Sequence, residues 1–241
     1  LIYFFKNHFP TGKYSELNPK HILSTLEKLI ARIDERFPGS GLGKVAAELN
    51  QVAIAIVQLV KKLPNPVWSI RLLTFIAIGL LIGLAVWLAV MIVRYIPAGE
   101  SGLVDFLQGT ESAINEVILL SLAIFFLASL ETRLKRQAAL KSLHRLRSIA
   151  HVVDMHQLTK DPAMLLAGNR PTTASPKRTM TAAELARYFD YCTELLAITS
   201  KLAALHAQHF QDPEVMKTVN DVEMLAHELA DKIWQKIMML K

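Results

Sequence analysis

The residues best placed by type to do chemistry lie at 38–45, PGSGLGKV, where Gly39, Gly41 and Gly43 precede Lys44. Glycines ahead of a lysine suit a phosphate cradle, because backbone N–H groups can then approach the phosphates while the ammonium neutralises them. A Walker loop has the spacing G-x-x-x-x-G-K-[ST], whose last hydroxyl holds magnesium. In that register Pro38 replaces the first glycine and Val45 replaces the hydroxyl residue. The segment before it, EKLIARIDERF, has a helical period and is not the buried strand that feeds a phosphate loop. The stretch reads as a tight corner between two helices.

HVVDMHQLTKDP, residues 151–162, concentrates imidazole and carboxylate groups. His151 and Asp154 have the spacing of two metal ligands on one helix, whereas His156 lies about 140° round the axis from His151. His144 shares the face of His151 but stands ~10 Å away along the axis. The stripe His144, Arg147, His151 and Asp154 is therefore expected to form a hydrogen-bonded and ionic seam between helices, and no metal is assigned. His206 and His209 read as groups at a helix C-terminus, where a protonated imidazole suits the dipole. Cys192, the sole cysteine, falls on an apolar seam and reads as an inert core thiol. One cysteine excludes an internal disulfide framework. No Ser-His-Asp, Cys-His or paired-carboxylate grouping stands out, so the expectation is a non-enzymatic protein with no cofactor.

The elements that must position these residues are dominated by two apolar runs. Residues 72–93, LLTFIAIGLLIGLAVWLAVMIV, carry no charge and are bounded by Arg71 and Arg94. Such a helix reaches ~33 Å, enough to cross a hydrocarbon core of roughly 30 Å. Residues 113–130, from Ala113 to Leu130, form a second, shorter candidate span. Between them, 95–112 contains Glu100, Asp105 and Glu111 but no lysine or arginine. Lys61, Lys62 and Arg71 precede the first span, and Arg133, Lys135, Arg136, Lys141, Arg145 and Arg147 follow the second. Basic flanks stay in the cytoplasm, so both flanks are expected inside and the acidic loop outside. The expected location is a bacterial inner (plasma) membrane.

Within the spans, Gly79 and Gly83 form a GxxxG step that Ala85 and Ala89 continue, a pattern that lets helix backbones approach closely in lipid. Glu116, in the first turn of the second span, is the one carboxylate at membrane depth. It reads as a helix N-terminal carboxylate, with a carboxylate ring in an oligomeric pore as the sharper alternative. Arg133, Lys135 and Arg136 are expected to face anionic lipid headgroups. Without aromatic interleaving or a nucleic-acid motif, no nucleic-acid partner is expected.

The remaining chain is helical by period. Four starts share Asn–Pro or Asp–Pro, at 18–19, 65–66, 161–162 and 212–213, and Thr181-Ala-Ala-Glu184 is a capping box. Leu42, Val45, Leu49, Val52, Ile56, Leu59 and Leu63 alternate in steps of three and four, the seam of a coiled coil. The opening LIYFF, ended by Lys6, reads either as the tail of an earlier span or as an apolar arm docked on the body.

The expected fold is an all-α integral membrane protein, a two-span hairpin with a cytoplasmic helical-bundle or coiled-coil domain. Its organisation is N-terminal cytoplasmic helices over 1–64, the hairpin over 65–130, a juxtamembrane helix over 131–157, a linker over 158–180 and a C-terminal helical hairpin over 181–241. The expected role is a membrane-anchored scaffold or accessory subunit, in a homo-oligomer or with a partner membrane subunit. The alternative is an oligomeric channel, transporter or sensor.

Overall fold

The computed structural model describes residues 16–95, 103–160, 162 and 180–240; the LIYFF opening and most of the linker lie outside them. The described elements are α1 (Pro19–Arg36), α2 (Gly41–Lys62), α3 (Trp68–Tyr95), α4 (Leu103–Leu158), α5 (Ala182–His209) and α6 (Pro213–Met238). No strand occurs among the described residues. The chain divides into two units: residues 65–137, and residues 1–64 with 138–241.

Local chemistry explains where the helices of the second of these units, the bundle, begin. Asn18 accepts a hydrogen bond from the Lys20 N–H, and Asp212 accepts from the N–H groups of Glu214 and Val215, each just ahead of a first-turn proline. Thr181 and Glu184 complete a reciprocal capping box. Ser40 caps α2 by accepting from Gly43 N–H at 3.1 Å. These side chains satisfy N–H groups that the helix itself leaves unpaired.

The glycine corner has a steric cause. Gly39 has φ of +69°, a left-handed turn that other residues avoid. A side chain at Gly41 would collide with the His156 ring, and a Cβ at Gly43 would lie 2.7 Å from Asp34 Oδ1. Two glycines thus let α2 start hard against the end of α4 and the last turn of α1.

Helix α5 packs against α1, α2 and α6, and it is the centre of the bundle. Leu185, Phe189, Cys192, Leu196 and Leu202 are buried, as are Val215, Val219, Val222, Leu229, Ile233 and Ile237 facing them from α6. Ala139, Leu143, Leu146, Ala150 and Val153 bury the C-terminal part of α4 in the same core. Phe37, which ends α1, meets Tyr188 and Tyr191 edge-on at 5.4 and 6.2 Å between ring centroids. Burial pushes the Cys192 thiol up to about 12, as suits an unreactive core group.

Three expectations need correction. The α2 stripe is broader than a coiled-coil seam: Leu42, Val45, Leu49, Ile56 and Leu63 are buried, but so are Ala46, Ala53, Val57 and Val60. Val52 and Leu59 are only half-buried, because two neighbouring helices, α1 and α5, share the face instead of one. Second, His144, Arg147 and His151 are exposed, and the polar ties from α4 use Ser142 and Gln157 instead. Gln157 accepts from Lys236 Nζ and donates to Asp154, the one member of the stripe that is half-buried. Residues one step round the helix face the core, so the stripe faces water. Third, His206 is buried rather than a solvated cap. Its Nδ1 lies 3.1 Å from Leu202 O and its Nε2 2.6 Å from Ser142 Oγ, whose hydroxyl donates to Ala139 O at 2.8 Å. Burial drives its pKa below the usual histidine value.

Leu49 is fully buried on the broad α2 face, whereas Val52 sits at its margin. Leu49→Ala is expected to lower unfolding stability of the bundle by about 2–5 kcal/mol, and Val52→Ala by clearly less. Urea unfolding in detergent, followed by Tyr188 or helix content, checks the order. Equal losses would make the heptad seam, and not the broad face, the centre of the core.

Candidate functional site

Unit 65–137 has a different physical character. Along α3 and along the apolar part of α4 none of the span-length window is buried by protein. Leu72, Leu73, Phe75, Leu80, Leu119, Leu122 and Phe125 are each more than 60% exposed. In water such a surface would cost roughly 25 cal/mol per Å². Helix α2 is also long and apolar enough to cross a membrane, yet 44% of its window is buried in the protein, as befits a bundle helix.

Helix α4 is one element of 56 residues, which carries the second apolar run and the stretch 131–157 as a single continuous helix. It begins at Leu103, ten residues before Ala113, the first residue of the second candidate span. Helix α3 begins at Trp68, beyond the Asn65–Pro66 pair that marks its start in the sequence.

That displaced start depends on a carboxylate from elsewhere in the chain. Glu131, immediately after the second apolar run, accepts a hydrogen bond from Val67 N–H at 3.0 Å through Oε1. Its Oε2 accepts from Arg71 Nε at 2.6 Å, and Lys135 Nζ lies 2.8 Å from Oε1. Lys135 also donates to Asn65 O at 2.7 Å. The Glu131 and Lys135 side chains are only 13% and 14% exposed. Burial alone would raise the Glu131 pKa, but the bonds from Arg71, Lys135 and Val67 outweigh it and hold the carboxyl at about 2. Two cations and one backbone donor thus converge on a single carboxylate, which caps α3 and ties it to α4.

The clasp revises the basic set. Lys135, expected to face headgroups, is engaged with Glu131 and Asn65 O. Arg133 is exposed and turns back over the Phe126 ring, 4.8 Å from its centroid, while Arg136 is half-buried. Among the described residues nothing lies within 4 Å of the place a Cβ would take at Gly79 or Gly83. Ala85 is half-exposed and Ala89 exposed. Glu116 is half-exposed, and Ser129 turns its hydroxyl back to Phe126 O at 2.9 Å. Among the described residues no three His, Cys, Asp or Glu side chains converge as a metal site would require.

Glu131 is the site residue that the sequence reading missed. Its signal was available: the lone carboxylate in a basic run, ETRLKR, at the end of an apolar stretch. Comparison with protein-family models, with curated proteins and with solved structures gives no match.

Because the folded pKa of Glu131 lies below the ordinary 4.5, its contribution is fully present above pH 4.5 and is lost as pH falls toward about 2. Removing the side chain removes it at every pH. Glu131→Ala is expected to speed hydrogen exchange of the Val67 amide at neutral pH, with Glu131→Gln intermediate, since an amide oxygen still accepts but carries no charge. Unchanged Val67 exchange in both variants would show that the carboxylate does not cap α3.

Proposed function

We propose that the chain is a non-enzymatic, membrane-anchored helical scaffold or accessory subunit of a larger membrane complex. In this reading α3 and the first half of α4 form a two-span hairpin in a bacterial inner membrane, with both flanks cytoplasmic and the acidic connection outside. The observation that carries it is the contrast in cover. The bundle buries its own core, while both apolar helices expose their faces, including a GxxxG step with open space before it. Lipid suits most of that surface, and a second span, from another copy or a partner subunit, suits the glycines.

The hairpin is supported by the clasp. Arg71, before the first apolar run, bonds Glu131, just after the second, as two antiparallel crossings with their ends on one side require. The charge asymmetry supports the orientation. A conducting role has little to draw on, because Glu116 is the lone carboxylate of the second run and the hydroxyl of Ser129 is internally bonded.

Orientation is testable with single cysteines, since native Cys192 is buried. In intact cells an impermeant thiol reagent is expected to label Ser112→Cys and to spare Ser148→Cys until the membrane is opened. The reverse pattern would overturn the orientation. Assembly is tested by the mass of the detergent-solubilised particle. Gly83→Leu is expected to reduce that mass while Glu116→Gln leaves it unchanged. Selective cation conductance in liposomes, lost with Glu116→Gln, would replace the scaffold with a channel.

A further inference from the structure

We propose that the outward face of α6 is an interface for a second copy of this chain, which pairs with it helix to helix as an antiparallel coiled coil. The surface belongs to the bundle and not to the apolar helices, so the pairing does not depend on the membrane reading.

Helix α6 carries two seams. One, from Val215 to Ile237, is buried and faces α5. The other consists of Asn220, Met224, His227, Asp231, Trp234 and Met238, spaced 4-3-4-3-4. On a helix these six fall within a sector of ~80°, centred ~130° round the axis from the buried seam. All six are exposed, and Met224, Trp234 and Met238 are each at least half open to the surroundings. An exposed methionine or tryptophan standing alone is ordinary on a protein surface. Here the heptad spacing holds them on one line for ~27 Å, as a helix–helix contact requires.

The order of the residues fixes the occupant and its direction. A parallel copy would set each residue against itself, with Asp231 facing Asp231. An antiparallel copy centred between His227 and Asp231 joins Met224 to Trp234, His227 to Asp231 and Asn220 to Met238. A twofold axis makes each of these layers occur twice. A thioether beside an indole is a favourable soft contact, and an imidazole N–H opposite a carboxylate is a charge-assisted hydrogen bond. Within one chain His227 Nε2 stands 3.7 Å from Asp231 Oδ2, too far for a hydrogen bond, with both side chains well exposed. Both groups can therefore turn to a second copy. The stripe is its own complement, which favours an identical chain over an unlike partner. Glu228, beside the axis, meets its own copy and is a like-charge contact in this register.

The test uses the full chain in detergent, with two differently tagged versions expressed together. Met224→Cys in one and Trp234→Cys in the other are expected to form a disulfide joining both tags when oxidised with copper–phenanthroline. Neither variant is expected to cross-link to itself, and native Cys192 is buried. Dissociation is then measured by sedimentation in a Gly83→Leu background, which removes the association assigned to the spans. The two-chain particle is expected to persist there. His227→Asp is expected to weaken it about ten-fold by setting like charges face to face, and Glu228→Gln to tighten it. Lys232→Asp, on the charged side of α6, is expected to leave it unchanged, with helix content equal in all three. Self-cross-linking of either cysteine variant would overturn the antiparallel register. Absence of the joined product, or equal losses from His227→Asp and Lys232→Asp, would overturn the interface. A Gly83→Leu chain that is already single would reject pairing through α6 and leave the membrane reading standing.

Discussion

Everything else in this protein follows from one constraint: two long helices present apolar surface that the described residues do not cover. A helix that hides one face in a core can keep a polar face in water, as α2 does with Lys44, Glu48 and Lys61 beside its buried stripe. Helix α3 has no such second face. Its side chains are apolar all round between Arg71 and Arg94, so no rotation relative to the bundle would hide them. Both α3 and the apolar part of α4 are long and apolar enough to cross a membrane. A segment in lipid must satisfy its backbone groups within the helix, and α3 and α4 run unbroken through their apolar stretches.

Polar chemistry concentrates at the end of the second apolar run. A carboxylate placed at the end of an apolar run would be costly if left alone, because burial disfavours its charged form. Glu131 is held ionised by three donors from separate places: the backbone at Val67, the side chain of Arg71 and, one turn on, Lys135. Breaking such a buried set by removing its centre leaves two cations and a helix N-terminus uncompensated, which is costlier than the pairs are individually stabilising. The same carboxylate engages Lys135 of the basic run, while Arg133 rests over the Phe126 ring.

The bundle changes how assembly should be understood. A seam with heptad spacing suggests self-association through α2, but α1 and α5 already cover that face, and its margin residues Val52 and Leu59 are only partly exposed. Small side chains at Ala46 and Ala53 let the neighbours come close, and Gly41 and Gly43 do the same at the corner. Little apolar surface on α2 remains for a partner beyond Ile54, which is 43% exposed. Among the described residues, the longest apolar surfaces that lack a neighbour are those of α3 and the apolar part of α4.

The sequence by itself determined the elements. Period, Asn–Pro and Asp–Pro pairs and the Thr181–Glu184 box placed α1, α2, α5 and α6 closely, because caps and amphipathic stripes are local properties written within one turn of chain. It also determined the apolar runs and identified PGSGLGKV as a corner, since both depend on residue types along a single segment. Only the tertiary structure decided which face of each helix is buried and which charge meets which. His206 is a core residue because Ser142 arrives from α4. Lys135 is held by Glu131 and Asn65 O, and α3 starts at Trp68 because a carboxylate 64 residues away caps Val67. Such pairings join positions far apart in the chain, and a pattern read along one segment carries no information about what the fold will place beside it.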